Sequence, residues 1–348
     1  GAIMSKKPMT DSGGCLWAFI IIVATVIGFG IIKVVSGLQN APAILLAIIL
    51  AIFISTRLLG RPSLRMLIRQ SLFILVFFFG IKLIEGIFLN IIKTVSTENV
   101  NFSKEEMVSD DLLIEKNDTI PVYTSMRSWK DNFGNSFYGA LSVRQSDYLK
   151  LQHSTKNFKP SSNENFWGEL YSYVEKKDAP SLDLVMATFT RINVEKQLNQ
   201  MEFAEMVVSC IQDIPYSFVF QEACLPSENY EDSIKDILEN CPGCCIGNVP
   251  YGIQNPISFI MNLKGDCDTR TVLIYSILKY FDFDVAILNS NFYRHSILGL
   301  NIPGSGKIKL FKGKKYILWE TTAKYFSAGV LPSNFDDIRH WNVVLTSK

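Results

Sequence analysis

The chain has 348 residues, of which 48% are hydrophobic, and its formal net charge is +1 because 34 basic residues nearly balance 33 acidic ones. This length leaves room for two or more domains. The balanced charge, with no basic cluster beyond the amino-terminal part, argues against a nucleic-acid partner. The hydrophobic content is high for a wholly soluble protein, and the excess is concentrated at the amino-terminal end.

Three apolar runs at the front of the sequence predict membrane helices. A helix needs about 20 apolar residues to cross a bilayer, and these runs approach that length. We therefore expect residues 1–95 to form a membrane anchor with three transmembrane helices, at about 16–35, 41–59 and 71–92.

Basic residues flank these runs unevenly. Lys6 and Lys7 precede the first run. Four arginines lie at the end of the second run or between it and the third, namely Arg57, Arg61, Arg65 and Arg69. The positive-inside rule then predicts a protein of the bacterial inner membrane, with its soluble domain on the periplasmic or extracellular side. Lys82 and Glu85 share a helix face in the third run. They indicate either contact with a membrane partner subunit or a pair at the outer interface that reaches water.

The next segment predicts a linker and then mixed secondary structure. Residues 96–118 are polar and lack periodicity, as is typical of a linker. Residues 119–200 predict an α/β extension of the domain that follows, rather than an independent module. Its expected elements are two strands around a turn and two helices, at 119–123, 136–143, about 146–156 and 181–192.

Four cysteines gather before the most informative motif of the chain. In an oxidising compartment some of them are expected to pair, and the candidates are Cys224, Cys241, Cys244 and Cys245. Three interpretations are open: structural disulfides, a C-x-x-C redox pair, or a metal site. A second pair of ligands at suitable spacing is missing, which argues against metal. The expected helix at 232–239 argues against a thioredoxin-like redox motif.

Cys267 follows Gly265-Asp266 and opens a predicted apolar helix. Unpaired backbone N–H groups and the helix dipole at such a position favour a thiolate. His295, one of only three histidines, lies in a strand-like segment, and Glu320 ends the next predicted strand. A nucleophile, a base and a carboxylate that orients the base are the parts of a cysteine acyl-transfer site. Asp266 is expected to cap the helix, and Asp268 and Arg270 to form local ion pairs.

These residues resemble the transglutaminase-like superfamily of papain-like fold. The Gly-Asp-Cys motif, the histidine and the acid carry the resemblance, together with the upstream Ile214-Pro215-Tyr216, over residues 202–332. The resemblance implies an α+β fold in which a helix packs on an antiparallel sheet, with 201–348 as its core. It departs from the family at the third position, where Asp is more common than Glu.

The resemblance implies acyl transfer through a thioester without a cofactor or a metal. Cys267 would be the nucleophile, His295 the base and Glu320 the third member, acting on a peptide or protein substrate. The backbone N–H of Cys267 and the side chain of Gln212 are candidate oxyanion donors. Peptidase-type or amidase-type hydrolysis is the first expectation. A non-enzymatic envelope subunit that binds a peptide or partner in its cleft, a crosslinking transglutaminase and a thiol-redox protein remain alternatives.

Overall fold

The computed structural model describes residues 21, 23–29, 40–59, 108–162 and 164–348. The chain divides into two compact units, 1–94 and 95–348, and each is described by itself.

The amino-terminal unit corrects the prediction of three transmembrane helices. Within the described residues, no helix is long and apolar enough to cross a membrane. Helix α1 (Asn40–Leu59) corresponds to the second predicted span, but its apolar run ends at Ile54 and is followed by Ser55, Thr56 and Arg57. That run is shorter than the roughly 20 residues that a span requires.

The other two predicted spans fall largely or wholly outside the described residues. Of the run at 16–35, the structure describes helical residues 21 and 23–29 alone. The run at 71–92, including Lys82 and Glu85, lies outside the described residues altogether.

The second unit begins with an antiparallel three-stranded sheet in the order β1-β2-β3, formed by β1 (Ser109–Glu115), β2 (Asp118–Lys130) and β3 (Ser136–Arg144). Strand β1 lies inside the segment predicted to be a linker. It is a strand because Lys116 and Asn117 both have positive φ and form a two-residue hairpin turn, which suits the twist of paired strands. Pairing with β2 therefore gives a polar segment its structure.

Seven helices follow, and several begin at well-formed caps. Asn199 and Glu202 form a reciprocal capping box at the start of α5, which satisfies backbone N–H groups that the helix itself leaves unpaired. Asn165 caps α3, a helix that the sequence analysis did not predict. The helices are α2 (Gln145–Leu151), α3 (Phe166–Asp178), α4 (Asp183–Lys196), α5 (Gln200–Gln212), α6 (Asp232–Asn240), α7 (Pro256–Asn262) and α8 (Cys267–Tyr280).

A five-stranded antiparallel sheet packs against α8. Its order is β10-β6-β7-β9-β8, and α8 lies on its central strands β6 and β7. Two short strands, β4 and β5, form a separate parallel pair. The bounds are β4 (Phe218–Val219), β5 (Cys245–Ile246), β6 (Val285–Ser290), β7 (His295–Leu300), β8 (Ile308–Phe311), β9 (Lys314–Trp319) and β10 (Asn342–Thr346).

The larger of two hydrophobic clusters in the second unit extends across both of its parts. It contains Trp129 and Phe137 of the first sheet together with Leu273 of α8 and Trp319 of β9. The indole N–H of Trp129 donates to the backbone oxygen of Met206 at 3.0 Å, so even the polar edge of this side chain is satisfied inside the core. The segment 119–200 and the segment 201–348 thus share their buried apolar surface.

Four cysteines form two disulfides, Cys224–Cys245 and Cys241–Cys244. Cys241 lies at the carboxyl end of α6, where the helix dipole disfavours a thiolate. This position favours the structural interpretation of the C-x-x-C motif over the redox one. Among the described residues, no group of three or more His, Cys, Asp or Glu side chains is placed to hold a metal ion.

The buried carboxyl group of Asp178 makes stability depend on pH. Burial raises the pKa of Asp178 to about 7, while its Oδ2 accepts from Asn255 Nδ2 at 2.6 Å and from the Ile257 N–H at 2.9 Å. Because the native pKa lies above the unfolded value of about 3.9, the native state binds more protons between these pH values. Stability therefore falls as pH rises through this range.

Asp178→Asn should flatten this dependence. The amide oxygen can still accept both hydrogen bonds, but the residue no longer has to ionise. Urea unfolding at intervals from about pH 4 to pH 7 should show that the variant loses up to about 4 kcal/mol less stability than the parent over this range. The exposed Asp118 provides the control Asp118→Asn, which should leave the slope unchanged. An unaltered slope in Asp178→Asn would contradict the assignment.

Candidate functional site

The amino terminus of α8 places Cys267 at its first position. As expected, Asp266 is the N-cap, and its Oδ1 accepts from the Thr269 N–H at 3.1 Å. Gly265 is required by space, because a Cβ there would lie 2.8 Å from Thr269 Cγ2 and 2.9 Å from Phe259 Cε2. The Gly-Asp-Cys motif therefore combines close packing, a cap and a side chain at the helix start, where the backbone N–H groups lack intrahelical acceptors.

The fold brings Cys267, His295 and Glu320 together. His295 is the first residue of β7, and Glu320 directly follows β9. His295 Nε2 and Glu320 Oε2 are 2.9 Å apart, and the imidazole is close enough to the thiol of Cys267 to lower the pKa of that thiol. Since Nε2 is engaged by Glu320, Nδ1 is the nitrogen left for the thiol. The exposed fractions of the three residues are 6%, 9% and 1% in the same order.

Glu320 is held at both carboxylate oxygens. Its Oε1 accepts from the N–H of Thr322 at 2.7 Å and from the hydroxyl of Thr322 at 2.5 Å, which leaves Oε2 for the imidazole. The neighbouring Thr321 hydroxyl is 2.8 Å from the Thr271 hydroxyl on α8. The loop after β9 is therefore tied directly to the helix that carries Cys267.

Aromatic rings fix the plane of the His295 imidazole. Phe335 stacks on it with ring centroids 4.8 Å apart and planes 19° from parallel, and Trp341 approaches with its centroid at 6.0 Å. The sequence analysis did not identify these two residues, because both lie beyond the motif and outside the resemblance. Contact between an aromatic face and the ring restricts its rotation, so the two nitrogens keep their different partners.

Opposing effects set the charges of the three groups. Burial favours the neutral imidazole, but Glu320 and Cys267 outweigh it and hold the pKa of His295 well above its usual value. Burial raises the pKa of Glu320, and His295 and Thr322 bring it below the usual value. Burial has the largest effect on the Cys267 thiol and raises its pKa, and the charge of Asp268 raises it further. His295 lowers this pKa but does not cancel the increase. Contact with Glu320 thus stabilises the imidazolium, and burial opposes formation of the thiolate.

Gln212, the candidate oxyanion donor, occupies a different role in this arrangement. Its buried amide nitrogen donates to the backbone oxygen of Glu320 at 2.7 Å and to that of Phe326 at 3.0 Å. Both N–H groups of the amide are thereby used, which leaves none for an oxyanion. The helix-start N–H groups of Cys267 and Asp268 are the donors that the geometry supplies.

Arg270 and Asp268 do not form the local ion pairs expected from the sequence. Arg270 is fully buried, and its guanidinium donates to three backbone oxygens, at 2.9 Å to Gly265, 2.9 Å to Ile211 and 2.5 Å to Pro215. Asp268 instead accepts from the Tyr171 hydroxyl at 2.5 Å. The guanidinium therefore joins the end of α5 to the start of α8, and Asp268 joins α8 to α3.

The other two histidines lie away from the thiol. His153 is exposed after α2. His340 precedes β10, and its ring stacks on Phe292 with centroids 4.0 Å apart. His295 is the histidine that the structure brings to Cys267.

Comparisons with known proteins add no relative. No protein-family model, no curated protein and no solved structure matches this chain.

Replacing Arg270 with lysine should destabilise the protein. Lysine cannot reach three carbonyl groups at once, so buried oxygens lose their donors, and we expect a decrease of about 2–4 kcal/mol in the free energy of unfolding. Arg191→Lys is the matched control, because Arg191 is 48% exposed and pairs with Glu195 on the same helix. It should change stability by less than about 0.5 kcal/mol. Equal effects in chemical denaturation would rule out a special role for Arg270.

Proposed function

We propose that this protein is a cysteine acyl-transfer enzyme that hydrolyses peptide or amide bonds through a thioester. The observation that carries the proposal is the 2.9 Å contact between His295 Nε2 and Glu320 Oε2, made by an imidazole that also partners the thiol of Cys267 at a helix start. A nucleophile, a base and an orienting carboxylate in contact form the recurring constellation for this chemistry. The resemblance to transglutaminase-like proteins supports the same assignment.

The proposed reaction has two halves. In the first, the thiol proton moves to Nδ1 of neutral His295 as Sγ attacks the substrate carbonyl carbon, and the carbonyl oxygen becomes an oxyanion. The His295 proton then passes to the leaving amine as the C–N bond breaks, and a thioester on Cys267 remains. In the second, His295 takes a proton from water, whose oxygen attacks the thioester. The carboxylic acid leaves, and the proton returns to the thiol.

Glu320 and the start of α8 supply two further things that the reaction needs, an oriented imidazole and donors to the oxyanion. A carboxylate that accepts at Nε2 selects the tautomer in which Nδ1 is free to take the thiol proton, and it stabilises the imidazolium that forms. The unpaired N–H groups at the start of α8 are suitable donors to the oxyanion. Proton transfer and attack need neither a cofactor nor a metal in this scheme.

A binding module is the second candidate, and the burial of Cys267 favours it. With 6% of its surface exposed and its pKa raised by burial, the thiol is a poor nucleophile in the resting arrangement. A protein that holds a peptide or partner through the same fold would tolerate such a thiol. Reactivity of Cys267 therefore distinguishes the two candidates.

Substitutions in the three residues should separate catalysis from folding. With fluorophore-labelled casein as the probe, Cys267→Ser should abolish hydrolysis, and His295→Ala should lower its rate by about 10²–10⁴-fold. Glu320→Gln should lower it by a comparable factor, because an amide N–H turned toward Nε2 stabilises the wrong tautomer. His340→Ala is the matched control and should retain activity.

Iodoacetamide labelling decides between the candidates. Rapid alkylation of Cys267, slowed in His295→Ala but not in His340→Ala, supports the enzyme. An inert Cys267, with casein turnover equal in the parent and Cys267→Ser, contradicts it and favours the binding module. If a fluorescent primary amine is incorporated into casein at the expense of hydrolysis, the thioester is resolved by amines and the enzyme is a crosslinking transferase.

A further inference from the structure

The segment of residues 222–246, which we call the strap, lies outside the hydrophobic interior of the second unit. None of its residues, all of which the structure describes, belongs to either hydrophobic cluster of that unit. Leu238 and Cys244 are its only buried side chains. A segment that buries so little apolar surface opens at a low cost in free energy unless other restraints hold it.

Two disulfides supply the covalent restraint on the strap. Cys224–Cys245 joins its two ends, and Cys241–Cys244 closes the turn that follows α6. A disulfide restricts the conformations that the enclosed loop can adopt. Because all four cysteines lie within the strap, reduction would release this segment without cutting a bond to any other part of the domain.

The strap contacts the chain just before the proposed nucleophile. Lys264 Nζ donates to the backbone oxygen of Gly243 at 3.0 Å, and Lys264 lies three residues before Cys267. The backbone supplies a second link. The N–H of Ser217 donates to the oxygen of Gly265 at 3.3 Å, and β4, which follows Ser217, pairs with β5 of the strap.

The strap also contacts the chain just before the proposed base. Glu231 Oε1 is 3.2 Å from Arg294 Nη2, and Arg294 directly precedes His295. Both side chains of this pair are exposed, so the ion pair alone is weak. The strap thus adjoins the residues that precede each of the two reacting side chains, although these residues lie on different elements.

The proposed reaction requires a peptide to reach a thiol that is 6% exposed, so a part of the protein beside Cys267 has to move. Helix α8 and strands β6 and β7 supply side chains to the hydrophobic clusters, which opposes their movement. The strap adjoins the same site and lacks this restraint.

We propose that the strap is a redox-sensitive lid, in which the disulfides keep Cys267 closed and their reduction allows the strap to open. The inference rests on the proposed function and extends it to regulation, because the thiol that becomes accessible is the proposed nucleophile. Disulfides that served folding alone would leave the accessibility of Cys267 unchanged when they were reduced in the folded protein.

The reductant is a dithiol. One of its thiolates attacks a sulfur of a strap disulfide, the S–S bond breaks, and the other cysteine leaves as a thiolate that takes up a proton. The second thiolate of the reductant then attacks the mixed disulfide and releases the first cysteine, which is also protonated. Two electrons pass to each protein disulfide, the dithiol becomes a disulfide, and Cys267 is not consumed.

The test is site-resolved alkylation. The full chain is reduced with dithiothreitol, which is removed before iodoacetamide is added, and alkylation of each cysteine is followed by mass spectrometry. The rate at Cys267 should rise about tenfold or more over the oxidised protein. Cys210 is an internal control, because it is fully buried on α5 and lies outside the disulfides. Global unfolding would expose both thiols, whereas opening of the strap exposes Cys267 alone.

Two variants test the restraints without a reductant. The double variant Cys224→Ser, Cys245→Ser removes the bond between the ends of the strap and should give a similar gain at Cys267. Lys264→Met removes the contact with Gly243, keeps both disulfides and should give a smaller gain. Lys348→Met is the matched control, because Lys348 Nζ also donates to a backbone oxygen, that of Asp282 at 2.8 Å, and should leave the rate unchanged.

Equal rates at Cys267 in the oxidised and reduced protein overturn the inference, and so does a rise that Cys210 matches. If the double variant does not fold, reduction of the parent and Lys264→Met decide. Casein turnover in the parent and Cys267→Ser, measured in both redox states, tests the proposed function separately. The ratio of alkylation rates is obtained whether or not the protein hydrolyses casein.

Discussion

The site depends on the buried guanidinium of Arg270. Among the residues that the structure describes, no carboxylate lies within hydrogen-bonding distance of it. Its donors are satisfied by the carbonyl oxygens of Gly265, Ile211 and Pro215, and the faces of two aromatic rings lie against it. A cation away from water is tolerated only when its donors are satisfied. That requirement fixes the end of α5 against the residue that precedes the N-cap of α8, and so it sets where Cys267 begins its helix.

From this anchor a continuous series of contacts reaches Glu320, His295 and Cys267. Gln212, next to Ile211 on α5, binds the backbone oxygen of Glu320, and the carboxylate of Glu320 binds His295. His295 in turn partners Cys267, which lies three residues before Arg270 on α8. The series closes on itself, so the distances among the three groups are set by a ring of buried hydrogen bonds and not by the separate stability of a helix and a sheet.

The sequence was sufficient to predict those parts of this ring that are set by residues adjacent in the chain. A cap before Cys267 and a strand of apolar residues after His295 follow from neighbours in the chain, and both appear in the structure. The role of Gln212 could not be inferred in this way, because its acceptors at Glu320 and Phe326 are more than 100 residues away. Strand β1 was predicted as part of a linker because its residues are polar and lack periodicity, and its structure comes instead from pairing with β2 across a two-residue turn. Among the described residues no helix is long and apolar enough to cross a membrane, because the run predicted at 41–59 was counted across the polar residues that end helix α1.

Glu320 is the main departure from the pattern that the sequence resembles, and the contacts of its backbone explain why a glutamate fits at this position. Its backbone oxygen is taken by Gln212, so the main chain at Glu320 is held toward α5. The longer side chain can then bend back so that Oε1 accepts from Thr322 two residues onward, while Oε2 still meets His295 at 2.9 Å. An aspartate at the same backbone position would have to give up one of these contacts, because one methylene less shortens its reach by about 1.5 Å. The side chain at position 320 must therefore be long enough to reach His295 from a backbone that is held toward α5, and glutamate meets this requirement.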